Sequence, residues 1–265
     1  MSPAIAAFGG AVRYEYRMQV RRPAVWIAVA LITLLVLGRA FAGNLVGFQS
    51  IPAFFSTAFP LEANVVAIGG YFLPVVFGIL LADRLPREHR LGTLELLESL
   101  PVGSGLRLWG KYVGAMAATL LPLLLGYLSL TLVVAVRLHE AGLLAAFLPV
   151  FALEALPGLL FVGAFSVGCP AAMPAPLYAV LYTGYWFWGN LVPPSHAPTI
   201  SCTPLTPIGK YASIAFFGTR GQECRLTQQG VGLAGGIGSV ALLLAVGAAF
   251  LLLVQGIRQQ QLQRR

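Results

Sequence analysis

Long apolar runs separated by short polar stretches dominate this sequence. A helix that crosses a bilayer needs roughly 20 mostly apolar residues, and six stretches reach that length: 24–42, 63–82, 112–136, 143–168, 171–190 and 231–255. Only a short turn around Cys169 and Pro170 separates the fourth from the fifth, but their combined length is nearly that of two bilayer crossings. The pattern therefore predicts an all-α integral membrane protein with six transmembrane helices in one domain, 1–265.

The stretch before the first span has an amphipathic pattern at helical spacing. Apolar or aromatic residues recur at every fourth position, beside a parallel stripe of arginines: Phe8, Val12, Tyr16 and Val20, then Arg13, Arg17 and Arg21. Such a helix lies along a membrane surface with its basic face toward anionic headgroups. We therefore expect an N-terminal interfacial helix. Arg39 lies close to the one cleavage-like stretch, at 40–42, so we expect no signal peptide to be removed.

Composition supports lipid as the solvent for most of the chain. Hydrophobic residues make up 58% of the sequence and charged residues only 10%, against roughly 25% charged in soluble proteins. The formal net charge is +8. A basic excess signals nucleic-acid binding only when it forms a face on a soluble domain, and the pattern predicts no such domain. Membrane lipid, not nucleic acid, is the expected partner.

The distribution of Lys and Arg predicts the orientation. With the N-terminus in the cytoplasm, the inner side holds Arg13, Arg17, Arg21, Arg22, Arg84, Arg87, Arg90, Arg107, Lys111, Arg258, Arg264 and Arg265, and the outer side holds Arg39, Arg137, Lys210, Arg220 and Arg225. The positive-inside rule then favours two cytoplasmic termini, an extracytoplasmic segment at 191–229 and a bacterial-type inner membrane. Tryptophans prefer the interfaces, so Trp186 and Trp188 are expected at the outer end of the fifth span.

Few residues in the spans carry chemistry. No CxxC pair and no Cys/His cluster with metal-ligand spacing is present, so no metal site is expected. Glu154 lies within the fourth span, where a charge costs about 2.5–3.5 kcal/mol on insertion scales; it either lines a pathway or makes a structural contact. The stretch 105–111 fits G-x-x-x-x-G-K, but Tyr112 replaces the Ser or Thr that would hold Mg²⁺. We therefore expect no ATP site in this chain.

The inner loop 83–111 contains the strongest pattern. Leucines at 91, 94 and 97 share one side of a short helix, Glu95 and Glu98 mark another side, and Pro101 ends it. A short amphipathic helix between two spans must cover its leucines with the membrane surface or with a partner protein.

This loop resembles that of the permease subunits of type-2 ABC exporters. The matching residues are Glu88, Gly92, Thr93, Glu95, Leu97, Leu100, Pro101 and Val102, followed by Gly110 and Lys111 at the start of a span. The six-span layout, the N-terminal surface helix and the long outer segment before the last span are also similar to that family. The chain differs from the family in its outer cysteine pair and its proline-rich outer segment.

The resemblance implies a transport subunit without a catalytic site of its own. The inner loop would be a coupling helix docked on a separate ATPase, with Glu88, Gly92, Thr93, Glu95 and Glu98 at or near the contact. Two permeases and two ATPases, which bind ATP and Mg²⁺, would form the exporter; the second permease is another copy or a paralogue. The residues alone leave two alternatives, an ion-coupled secondary transporter or channel, and an intramembrane enzyme.

The outer segment contains two cysteines that this topology places together in an oxidising compartment. Disulfides persist there and not in the cytosol, so we expect a bond between Cys202 and Cys224 and a free thiol at Cys169 in an inner turn. The segment would then form a cap over the outer mouth. Because 204–217 is partly apolar, the alternative is that it dips back into the membrane.

Overall fold

The structure is a computed structural model that describes residues 3–41, 57–82, 104–194, 196–219 and 231–263. These residues contain no strand, as expected in lipid, where an α-helix satisfies its backbone polar groups within one segment. The helices are α1 (Pro3–Val20), α2 (Pro23–Phe41), α3 (Ala58–Ala82), α4 (Ser104–Leu138), α5 (Gly142–Val150), α6 (Leu156–Gly168), α7 (Ala175–Leu191), α8 (Lys210–Phe217) and α9 (Leu233–Gln263). The predicted all-α class is confirmed.

Four stretches of helix are long and apolar enough to cross a membrane: Ala58–Ala82, Gly105–Leu138, Gly142–Ala171 and Leu233–Ile257. A fifth arises if α1 and α2, which meet at 58°, form one broken span. The predicted span 171–190 is shorter in the structure, because a turn keeps the chain out of the helix until Ala175. The 17 residues of α7 rise about 26 Å, less than the roughly 30 Å hydrocarbon core.

The N-terminal helix α1 packs lengthwise against the first half of α4. Gly114 makes the close approach possible, because a Cβ there would lie 2.6 Å from the carbonyl oxygen of Val12. Farther along, Gln19 Nε2 donates a hydrogen bond to Thr119 Oγ1 at 3.0 Å. Glu15 and Gln19 are buried on this face, while the arginines at 13, 17 and 21 are exposed on the other. Packing against α4 therefore helps to hold this helix in place.

Helix α7 faces α3 with a column of aromatic residues. Tyr182 Oη donates to the carbonyl of Pro74 at 2.7 Å, and Trp186 Nε1 donates to that of Tyr71 at 3.0 Å. Trp186 is completely buried against the neighbouring helices, and its predicted position at the outer membrane interface stays a prediction. Its N–H donor is satisfied by the backbone of α3, and Trp188 is the exposed tryptophan.

One wide turn interrupts the fourth apolar stretch. Between α5 and α6, Phe151–Ala155 forms a π-helix, and the N–H of Leu156 bonds to the carbonyl of Phe151 five residues earlier. Pro157 follows within the first turn of α6; it has no N–H, so it removes one α-helical hydrogen bond at this point. π turns inside α-helices occur frequently at functional sites.

The described part of the segment 191–229, which was predicted to be extracytoplasmic and which we call the outer segment, folds back onto the helices. The carbonyl of Pro207 lies directly against Gly158 of α6, where a Cβ would overlap it. Gly236 of α9 leaves room for α8, since a Cβ there would lie 2.6 Å from the Cβ of Ala215. Ser239 Oγ also donates to the carbonyl of Pro204 at 2.6 Å. The described part of the segment therefore packs between α6 and α9.

Candidate functional site

A second buried glutamate lies on α3, where the sequence pattern did not indicate one. Glu62 was placed just before the predicted span 63–82, but α3 begins at Ala58, so Glu62 lies one turn inside the helix and has 0% exposure. Thr131 Oγ1 donates to its Oε1 at 2.6 Å, and its Oε2 has no hydrogen-bond partner. The sequence did show a carboxylate next to an apolar stretch. Glu62 was not counted as a residue of the span because the predicted span began one position later, at 63.

Glu154, the acidic residue predicted within the fourth span, lies in the π turn with 1% exposure. Neither of its carboxyl oxygens has a hydrogen-bond partner. Ser213 lies near the carboxyl group, but its hydroxyl pairs with that of Thr219 at 2.8 Å. Gly209 closes the site from the outer segment: a Cβ there would lie 2.7 Å from Cγ of Glu154, and its φ of +83° suits glycine.

Tyr127 of α4 completes this group. Its ring makes an edge-to-face contact with Phe151 in the π turn, with centroids 5.4 Å apart. The side chain is 1% exposed, and its hydroxyl has no hydrogen-bond partner. A Cβ on Gly70 would lie 3.9 Å from this hydroxyl and 3.4 Å from Cγ2 of Ile208. The hydroxyl therefore lies beside α3, close to the part of the outer segment that covers Glu154.

We call these residues the carboxyl cluster: Glu62, Tyr127, Thr131, Glu154 and Ser213. Glu62 and Tyr127 both lie within electrostatic range of Glu154, so two negative charges here would repel each other. No ion pair joins either glutamate to a basic residue in the described part of the chain. Burying uncompensated carboxylates is costly. The cluster can therefore attract a positive charge or accept hydrogen bonds.

The described residues hold no group of three or more His, Cys, Asp and Glu side chains that could bind a metal ion. A site of the zinc type, with three or four such ligands, is therefore not present in the part of the chain that the structure shows.

The stretch that resembles a phosphate loop has a structural role. The whole stretch, 105–111, lies within the helix Ser104–Leu138, whereas a phosphate loop is a glycine-rich loop that precedes a helix. Lys111 is 8% exposed, and its Nζ lies 3.8 Å from Oε1 of Glu15 on α1. The lysine thus pairs with an acidic residue of the packed N-terminal helix.

Most of the residues implied by the family resemblance lie outside the described residues. This applies to Glu88, Gly92, Thr93, Glu95 and Glu98. Cys224, which belongs to the predicted disulfide, also lies outside the described residues. Cys202 is described, is largely buried and is disulfide-bonded, whereas Cys169 is a free thiol. The pairing of Cys202 with Cys224 and the coupling contact both stay predictions.

Comparison with known proteins supports the family resemblance. No protein-family model matches the chain. A protein of Stutzerimonas stutzeri named "Probable ABC transporter permease protein NosY" is 33% identical over 119 residues, which cover 44% of this chain and 40% of that protein. A Pseudomonas aeruginosa protein of the same name is 30% identical over 154 residues, 57% of this chain and 53% of that protein.

The matched region thus spans about half the length of these curated relatives. Both names describe a membrane subunit of an ABC transporter, and the apolar helices of the structure are those of an integral membrane protein. Together these findings confirm the predicted resemblance of this chain to the permease subunits of ABC transporters.

Proposed function

We propose that this chain is the membrane subunit of an ATP-driven exporter of the type-2 ABC class. The observation that carries the proposal is the agreement between the inner-loop residues and the names of the two relatives. In this proposal two permease chains assemble with two ATPase subunits, which bind ATP and Mg²⁺. The permease contributes the pathway and no catalytic site.

The proposed topology has six spans with both termini in the cytoplasm of a bacterial-type inner membrane. The spans are α2, α3, α4, the pair α5–α6, α7 and α9, and the long inner loop lies on the side of the ATPase. The support is the excess of Lys and Arg in the segments placed inside. The short α7 is accommodated because a bilayer can thin locally, at a cost of fractions of a kcal/mol per Å.

Charge reversal in the inner loop should uncouple the exporter. In Glu95→Lys we expect the ATPase to dissociate from the permease on purification, or ATP hydrolysis to continue without transport, because a like charge would face the basic groups that bind the glutamate. Co-purification and cargo-stimulated ATP hydrolysis in proteoliposomes measure the two effects. The matched control is Glu140→Lys, an exposed position after α4 on the proposed outer side. Normal assembly and transport in Glu95→Lys would count against the docking assignment.

The outer cysteines provide an independent test of the topology. We expect mass spectrometry of non-reduced peptides to detect a Cys202–Cys224 link and an alkylated Cys169, because only an oxidising compartment maintains such a bond. In the chain-entropy model a loop of this size stabilises the fold by roughly 3–4 kcal/mol, so Cys224→Ser should lower the unfolding temperature. Alkylation of Cys202 and Cys224 without prior reduction would contradict both the bond and the outer placement.

The buried position of Glu62 favours one alternative, an ion-coupled secondary transporter, since proton and ion relays contain several intramembrane carboxylates. The two functions differ in their energy source. Proteoliposomes containing the chain and its ATPase should transport with ATP in the absence of any ion gradient if the ABC assignment is correct. Transport that requires an ion gradient and does not depend on ATP would identify the chain as a secondary transporter.

A further inference from the structure

We propose that the carboxyl cluster is a binding site for one hard cation with oxygen ligands, of the class of Na⁺, Mg²⁺ or Ca²⁺. This inference does not depend on ATP-driven export, because it rests on the packing of side chains within a single chain. The site lies where α3, α4, the π turn and the outer segment meet.

The first reason is the number of buried oxygen atoms that have no partner. Among the described residues, none makes a hydrogen bond with either carboxyl oxygen of Glu154, with Oε2 of Glu62 or with the hydroxyl of Tyr127, and each of these side chains is at most 1% exposed. The great majority of buried polar atoms in proteins are hydrogen-bonded. Several exceptions in one cluster indicate a ligand that accepts electron pairs from oxygen.

The second reason is the hydroxyl of Tyr127, which provides evidence independent of the two glutamates. It belongs to a different helix and lies beside Gly70 and Ile208, next to the backbone that covers Glu154. A phenol could have pointed its hydroxyl toward a backbone carbonyl, as Tyr182 does toward Pro74. Instead it makes no hydrogen bond with any described residue, so its lone pairs are available to a cation.

The third reason is the local backbone. The π turn at Phe151–Ala155 interrupts the α-helical hydrogen bonding at Glu154 itself. In secondary transporters, cation sites typically lie at interrupted helices near the middle of the bilayer. Thr131 fixes one oxygen of Glu62 at 2.6 Å, which leaves the other oxygen available. Carboxylates and hydroxyls are the ligands that hard cations prefer, whereas Zn²⁺ sites use Cys and His.

The test is a thermal-unfolding titration of the full-length chain in nanodiscs of phosphatidylcholine. NaCl, MgCl₂ and CaCl₂ are added in separate series at constant pH, with choline chloride keeping the ionic strength equal. At least one of these salts should raise the unfolding temperature in a saturable way. At a free concentration of 100 times Kd, binding to the native state alone increases the folding equilibrium constant about a hundredfold. The three series distinguish the cation that binds.

The variants locate the site. Glu62→Gln and Glu154→Gln retain the size of the side chain and remove its charge, so both should fold and lose the saturable response; Tyr127→Phe should weaken the apparent affinity. Glu140→Gln, which removes an exposed carboxylate, should respond as the unmodified protein does.

Two results would overturn the proposal. One is the absence of a saturable response to all three salts, or an equal response in Glu154→Gln. The other is that lowering the pH in choline chloride alone reproduces the whole stabilisation while no metal cation adds to it, since protons would then be the only ligand of the cluster.

Discussion

Replacement of Lys111 by methionine is expected to destabilise the protein by about 3–5 kcal/mol, the usual cost of removing one partner from a buried ion pair. Lys111 and Glu15 join α4 to α1, and their side chains are only 9% and 7% exposed. The substitution would remove from the buried Glu15 carboxylate the lysine whose Nζ lies 3.8 Å away. Chemical unfolding in detergent, monitored by tryptophan fluorescence, measures the change, and the ATP affinity of the assembled complex should be unaltered.

A double-mutant cycle measures the interaction energy between Lys111 and Glu15 separately from the effects of each substitution on its surroundings. Lys111→Met combined with Glu15→Gln should recover most of the lost stability, because neither change then leaves a buried charge. Arg17→Gln is the control, since it removes a positive charge from the exposed face of the same helix α1 and should cost less than about 0.5 kcal/mol. If Lys111→Met costs no more than this control, the pair does not hold α1 in place.

Substitution of Gly158 by alanine should detach the outer segment. A methyl group at this position overlaps the carbonyl of Pro207, which is backbone and cannot rotate away. Overpacking of this kind costs typically 1–3 kcal/mol and occasionally more. We expect a lower unfolding temperature, and faster proteolysis between α7 and α9 in the native state.

The control for this effect is Gly184→Ala on α7, where no atom lies within 4 Å of the added methyl group. Glycine to alanine inside a helix otherwise stabilises by up to about 1 kcal/mol, so the two variants should shift the unfolding temperature in opposite directions. A higher unfolding temperature in Gly158→Ala than in the unmodified protein would show that the outer segment does not pack against α6 in solution.

The pattern of apolar residues predicts the number of membrane-spanning helices only in part. The pattern predicted six spans, and the described helices supply four or five by length and composition. The difference lies mainly at α7, where the turn after Cys169 uses residues that the pattern assigned to a helix. A hydropathy pattern measures preference for lipid, but the start of a helix depends on local backbone geometry around Pro170 and Pro174.

The residues of the carboxyl cluster could also be predicted from the sequence only in part. Glu154 was recognised because it stands well inside an apolar run, whereas Glu62 was lost at a boundary that is uncertain by a few residues. The bond from Thr131 to Glu62 joins residues 69 positions apart, and no periodicity along either helix predicts it. Likewise, the arginine stripe of α1 indicated a surface helix, but its buried contact with α4 depends on Gly114, a residue type that is common in membrane helices.

The sequence by itself determined the solvent, the helical class and the resemblance to ABC permeases. Each of these depends on composition, on the length of apolar runs or on a short local motif, and these properties are present before the chain folds. Only the tertiary structure decided which polar residues meet inside the bundle and how the outer segment folds back onto α6. It also decided which glycines are closely contacted by another helix or segment. Those outcomes depend on how close-packed helices fit together, and the positions of partner atoms are set by packing across the whole chain.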